Sequence, residues 1–183
     1  MSYTVRTFDL KSNFFTITSG LYPLGLAKVN KIISVIVPEY YSNPDPLSEI
    51  KKAINMDNFT LLFITAAKHH LFFEDNDKMY FISLGIKNTG KHAGHTINIA
   101  VFIEEPLSFN GLIELIKVIT EAKCGALMDF GLKITGTVTD GVAVGTSALV
   151  EKITFAGTAT PIGAEIGKNV YRAVMELLKK EFS

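Results

Sequence analysis

The sequence predicts an α+β protein, one domain in which helices pack on a mixed or largely antiparallel sheet. Three observations carry that reading. Segments with strand-like patterning outnumber helical ones, and they follow one another without the regular helix that βαβ units require. Two long amphipathic segments stand late in the chain, each with a clear start signal.

Taken in order, residues 3–8, 14–18 and 32–37 read as short strands. The run Ser42-Asn43-Pro44-Asp45-Pro46 is dense in turn formers and marks a soft point, with a short helix after it over residues 47–55. Residues 60–66 are a mostly continuous apolar run, 71–74 a brief one and 79–86 a mixed one. Residues 96–103 alternate most clearly: Ile97, Ile99, Val101 and Ile103 share one face, while Thr96 and Asn98 take the other. Between these last two strands lies a polar, Gly-containing loop.

A long helix should follow Pro106, capped by Ser108 or Asn110 and stopping at Gly125 or Gly131. Its apolar stripe is Leu112, Leu115, Ile116, Ile119, Ala122 and Ala126. Strands return over residues 135–144 and 153–155. The last helix opens with Thr160 as N-cap and Pro161 at the first helical position, and it ends in Lys179-Lys180, as the macrodipole prefers. No linker, repeat or low-complexity tract interrupts the chain, so residues 1–183 are read as a single domain.

Composition narrows the function. Eighteen basic residues balance eighteen acidic ones, which argues against a nucleic-acid partner. The lone Cys124 has no partner for a disulfide or a CxxC site, and it reads as a small core residue in a reducing compartment. The first fifteen residues carry Arg6, Asp9 and Lys11, unlike a signal peptide, and no apolar run is long enough for a bilayer, so the cytoplasm is the expected location, with no membrane partner. A homo-oligomer is compatible with all of this.

The informative residues are those on the wrong face. Lys123 follows Leu112 by eleven positions, which at about 100° per residue returns it to the apolar stripe, whereas Glu121 falls on the solvated side. In the strand expected over residues 135–144, Asp140 shares a face with Val138, Val142 and Val144, with Thr137 and Thr139 opposite. One reading has Lys123 snorkelling at a helix end and Asp140 capping a turn before Gly141. The other puts both in a partly buried cleft, each shifting the other's protonation. The small, hydroxyl-rich segments around Thr137 and around Gly157, Thr158 and Thr160 offer N–H groups and hydroxyls to an amide, phosphate or carboxylate. Neither matches a Walker or dinucleotide loop, and no GxSxG elbow exists. His92-x-x-His95 lacks an acidic third ligand in register, so no metal site is expected; His95 is the better candidate for substrate hydrogen bonding or proton transfer.

Four blocks then occur in order: His95-Thr96-Ile97-Asn98-Ile99, Thr120-Glu121-Ala122-Lys123-Cys124-Gly125, Thr135-Gly136-Thr137-Val138-Thr139-Asp140 and Ala156-Gly157-Thr158-Ala159-Thr160-Pro161-Ile162-Gly163. Together they resemble the adenosylcobinamide amidohydrolases of corrinoid salvage, with their G-T-I-N-I strand, T-E-A-K helix and T-G-T-x-T-D strand. His95 departs from the pattern's Gly, and Val138 stands where Gly is frequent; Ile17-Thr18-Ser19-Gly20-Leu21 matches an early Ser/Gly-rich element loosely. The resemblance implies hydrolysis of the aminopropanol amide of adenosylcobinamide, giving adenosylcobyric acid. Cobalt then arrives with the corrinoid substrate and no separate cofactor is implied. On that basis Asp140 is expected to be the general base, with Lys123 orienting it or stabilising the oxyanion. Asn98, Thr137 and Thr139 would hold the scissile amide or corrin side chains, and the nucleophile is water or a threonine. The competing reading is a non-catalytic module binding a corrinoid or another amide-rich metabolite, which would not need Lys123 and Asp140 together.

Overall fold

A computed structural model describes residues 3–86 and 96–183. Seven strands form one mixed sheet: β1 (Thr4–Thr18), β2 (Gly25–Ile36), β3 (Thr60–Thr65), β4 (His69–Asp75), β5 (Lys78–Gly85), β6 (Thr96–Ile103) and β7 (Gly141–Thr146), in the order β3-β2-β1-β7-β6-β5-β4. Among the described residues three helices join them: α1 (Pro46–Ala53), α2 (Phe109–Asp129) and α3 (Pro161–Glu181). This is the α+β arrangement the sequence predicts, with α2 and α3 packed together over β4, β5 and β7. Among the described residues, no helix is long and apolar enough to cross a membrane.

The topology forces the sheet to curl. β3 and β4 are its two edges, yet only residues 66–68 connect them. Seven flat strands about 4.8 Å apart would separate those edges by about 29 Å, while three linking residues reach at most about 15 Å. The sheet therefore rolls, bringing β1–β3 over β4–β6. The concave side holds an aromatic core: Phe63 stacks on Phe81 with centroids 5.6 Å apart, Phe8 meets Phe72 and Phe81, and Phe14 meets Phe102. Alternation sorts the two faces. Ile97, Ile99, Val101 and Ile103 of β6 face the helices, and Ala100 and Phe102 face the aromatic core.

Several boundaries differ from expectation. The two N-terminal strands are one, β1, with a register shift between Asp9 and Phe14, and its partner β2 starts at Gly25 rather than at residue 32. Two parallel crossovers do exist, β2-α1-β3 and β6-α2-β7, among otherwise antiparallel pairs. α2 passes through Gly125 and ends before Gly131, whose φ of +94° is the left-handed conformation that favours glycine after a helix. Residues 153–155 form no strand, because Thr154 is taken up by the α2 cap: its N–H donates to Ser108 Oγ at 3.0 Å, and its carbonyl accepts from Asn110 Nδ2 at 3.0 Å. The strand expected over residues 135–144 starts only at Gly141. Here side-chain hydrogen bonds to nearby backbone outcompete the ladder.

Candidate active site

The turn before β7 is organised by Asp140. The Thr137 N–H donates to Asp140 Oδ2 at 3.1 Å and the Thr137 hydroxyl to Oδ1 at 2.6 Å. The Ile97 N–H at the start of β6 also donates to Oδ1, at 2.9 Å, so the carboxylate fills the ladder position that backbone would occupy one residue later. Lys123 Nζ closes the set with an ion pair to Oδ2. Each oxygen thus accepts two donors, which accounts for the roughly four lone-pair sites a carboxylate offers.

Lys123 comes from the buried stripe of α2 and is 5 % exposed, as its helical phase requires. A lysine there is tolerable because it is paired. Gly136 makes room for it: a Cβ at that position would lie 2.6 Å from Asp140 Oδ2 and 2.7 Å from Lys123 Nζ. Any side chain at 136 therefore wedges the pair apart. Asp140 was expected on the apolar face of a strand with Val138; instead the turn holds it inward while Val138 points wholly into solvent.

Asp140 separates two openings. On one side is a cleft of about 530 Å³ at the mouth of the rolled sheet, with Phe63 and Asn98 in its floor and Thr96, Thr139, Ser19 and Tyr41 around it. On the other is a groove between α2 and the turn, lined by Thr120, Lys123, Cys124, Gly136 and Thr137. Sheet mouths of this kind are common ligand sites. In the cleft the Thr96 and Thr139 hydroxyls pair at 2.6 Å. Asn98 is buried; its Oδ1 accepts the Gly141 N–H at 3.1 Å and its amide donates to Ser83 at 3.1 Å, fixing β5, β6 and β7 beneath the cleft. Apart from Asp140 and Tyr41, none of the described lining residues is an acid or base, so the chamber suits a neutral, amide-bearing ligand.

The opposite wall is the turn-rich segment that the sequence marked only as a soft point. Glu49 of α1 accepts hydrogen bonds from Tyr3, from Tyr41 at 2.9 Å and from Asn43. Those bonds, Tyr3's first, hold the Glu49 carboxyl below its ordinary range. Burial, reinforced by Glu49, pushes the Tyr41 hydroxyl upward, so it stays a protonated donor. Ser19, Tyr41, Ser42 and Asn43 are thus cleft residues that pattern reading missed. The loosely matched Ser19-Gly20 element and the density of turn formers were the available signals.

The structure brings together Asp140, Lys123, Asn98, Thr137 and Thr139. It does not bring Gly157, Thr158 and Thr160 to them. These lie by the first turns of α2, where Glu114 accepts the Ala156 N–H at 2.7 Å, and about 14 Å of helix separates Glu114 from Lys123. Their polar groups serve α3: Thr160 Oγ1 accepts the Gly163 N–H at 3.1 Å and donates to the Gly157 carbonyl at 2.8 Å. The expected substrate-binding segment therefore stands apart from the cleft, with Thr160 serving as the α3 cap. His95 lies outside the described residues. Cys124 is half-buried in the groove wall rather than in the core. Among the described residues no group of three or more His, Cys, Asp or Glu is placed to hold a metal ion.

A buried ion pair, a hydroxyl-bearing turn and a neutral polar cleft form the kind of site that hydrolytic enzymes use. The family model for adenosylcobinamide amidohydrolase matches residues 16–183, and the chain belongs to that family. It is also 29 % identical, over 98 % of its own length and 96 % of the other, to a curated protein of Methanosarcina mazei named adenosylcobinamide amidohydrolase.

Proposed function

We propose that the protein hydrolyses the amide joining the aminopropanol arm to the corrin of adenosylcobinamide, releasing adenosylcobyric acid and free aminopropanol for cobalamin salvage in the cytoplasm. The observation that carries the catalytic reading is the Lys123–Asp140 pair set between cleft and groove with Thr137 on it. A non-catalytic binder would need no such pair, and separated side chains would have favoured it.

Asp140 acts as the base. A base must reach the proton it takes, and the hydroxyl proton in its reach is that of Thr137, at 2.6 Å. When water attacks, it passes its proton to the Thr137 hydroxyl, which hands its own to Asp140 as the water oxygen adds to the amide carbon. When Thr137 itself attacks, its proton goes to Asp140. The C–N bond then breaks, and the proton goes to the departing amine. After the amine leaves, a water activated by Asp140 hydrolyses the acyl-threonine ester of the second route. Lys123 orients Asp140 and offsets negative charge as the tetrahedral oxyanion forms. Thr96, Thr139 and Asn98 shape the end of the cleft where the amide lies. Cobalt enters with the substrate, and no resident metal takes part.

Incubation with adenosylcobinamide in ¹⁸O-water tests the proposal by mass spectrometry. Free aminopropanol and adenosylcobyric acid with one ¹⁸O in its new carboxyl are expected, unaffected by a chelator. Unchanged substrate after prolonged incubation would overturn the reading.

A further inference from the structure

The cleft, at about 530 Å³, has the size for one side arm, not for a corrin ring with its amide arms and adenosyl group. The ring must therefore rest against the rim. Two rim residues do no structural work: Leu24 is 83 % exposed, Val138 is fully exposed, and neither belongs to any core cluster. Leu24 ends the link from β1 and immediately precedes Gly25, the first residue of β2, whose φ is +70°. Val138 sits inside the Thr137–Asp140 turn, where small polar residues or glycine are the usual occupants. Both nonetheless line the cleft mouth, one from the link ahead of β2 and one from the turn ahead of β7. The chamber offers neutral amide and hydroxyl groups beside Phe63, and these two exposed aliphatic side chains stand at its mouth, matching a ligand with an amide-bearing arm and a flat, largely apolar body.

We infer that Leu24 and Val138 form a seat for the ring face from which the arm hangs, and so select macrocyclic substrates over small amides. This rests on the amidohydrolase reading above. The two residues are specificity determinants whose side chains lie in solvent at the rim, Val138 projecting outward from the turn that holds Thr137 and Asp140. Removing them raises KM while kcat is kept, because the ring binds equally in ground and transition states.

The test compares wild type with Leu24→Ser, Val138→Ser, the double variant, and the conservative pair Leu24→Met and Val138→Ile. Ile153→Ser, an exposed apolar position by the distant start of α2, serves as control. Each serine variant should raise KM for adenosylcobinamide about tenfold, the scale of one aliphatic contact, with kcat within about twofold. The conservative variants and the control should match wild type. Equilibrium dissociation constants for adenosylcobinamide, read from quenching of tyrosine fluorescence, should rise in parallel. Unchanged KM and Kd in the double variant would overturn the seat, as would a loss confined to kcat. Wild type that binds but never turns over would count against the amidohydrolase reading alone, and the Kd series would still decide the seat.

Discussion

Two lysines are buried to nearly the same degree, Lys123 at 5 % and Lys78 at 6 % exposure, and both are paired with carboxylates. Lys78 opens β5, with Asp77 at 2.5 Å and Glu165 of α3 at 3.1 Å. Burial pulls its ammonium down, yet the hydrogen bonds to Asp77 and Glu165 outweigh that and leave it above the ordinary lysine range. Around it Asn169 bridges Asp75 at 2.7 Å and Tyr80 at 3.2 Å, and Asn76 reaches Glu165 at 3.0 Å. This network staples the β4–β5 hairpin to α3. It sits at the end of β6, opposite the cleft, roughly 24 Å along the strand. Burial and pairing are therefore common to a structural lysine and to the one proposed for catalysis. What separates them is what the carboxylate faces: solvent and a helix for Lys78, a ligand-sized cleft for Lys123.

The largest expected effect follows from that difference. Asp140→Asn keeps the side chain's shape and some of its hydrogen bonds but removes the base, and turnover of adenosylcobinamide should fall by about 10²-fold or more. The melting temperature should move less, since the cost of desolvating a carboxylate disappears with its charge. Near-full activity in this variant would reduce Asp140 to a turn residue and erase the distinction between the two lysine sites.

Lys123→Met should lose less, about 10- to 100-fold, because Thr137 and Ile97 still hold the carboxylate. If the pair works as a unit, the Lys123→Met/Asp140→Asn double variant will be no slower than Asp140→Asn alone. Fully additive losses would show that Lys123 acts independently, for instance only on the oxyanion. Lys78→Met supplies the contrast: kcat/KM within about twofold of wild type, but a melting temperature lower by about 3–6 °C. The destabilisation stays near 1–2 kcal/mol, short of a fully buried pair's cost, because Asp77 and Glu165 keep partial contact with water.

Helical phase alone placed Lys123 correctly, since one turn of α2 fixes the direction of every side chain on it. Both long helices were legible for the same reason, each announced by a local cap, Ser108 or Thr160. Asp140 was singled out for a reason the structure replaces. Period-2 alternation was extended back into residues 135–140, where hydrogen bonds between Thr137 and Asp140 win over strand formation. The roll of the sheet was not legible, because it depends on which strands become edges, a non-local property. With it went the cleft wall: Ser19 reaches Val142 through the non-local β1–β7 pairing, and Tyr41 and Asn43 meet Thr96 and Asp140 only in the rolled sheet. Lys78 was passed over because it stands one residue outside the expected strand and its partners come from a turn and a distant helix.

A third ionisable group, half-buried, sharpens the comparison with the smallest expected effect. His70 of β4 lies where the rolled sheet meets itself, with Nε2 3.0 Å from Ser34 Oγ of β2 and its ring against Phe81. Burial first, and then the nearby charge of Arg6, lower its pKa from 6.5 to about 4. The fold thus favours the neutral ring. Its contribution to stability is complete above the unfolded value of 6.5 and is lost as pH falls from there toward about 4, where the unfolded chain binds a proton the native state refuses. After discounting for residual solvent contact, the loss by pH 4.5 is about 1–2 kcal/mol. His70→Gln retains a partner for Ser34 and does not titrate, so its melting temperature should fall by about 3–6 °C less than wild type's between pH 7 and pH 4.5. His70 lines neither the cleft nor the groove, so at pH 7 the variant should keep wild-type kcat. Parallel acid profiles for the two proteins would mean that carboxylates, not this histidine, govern acid unfolding.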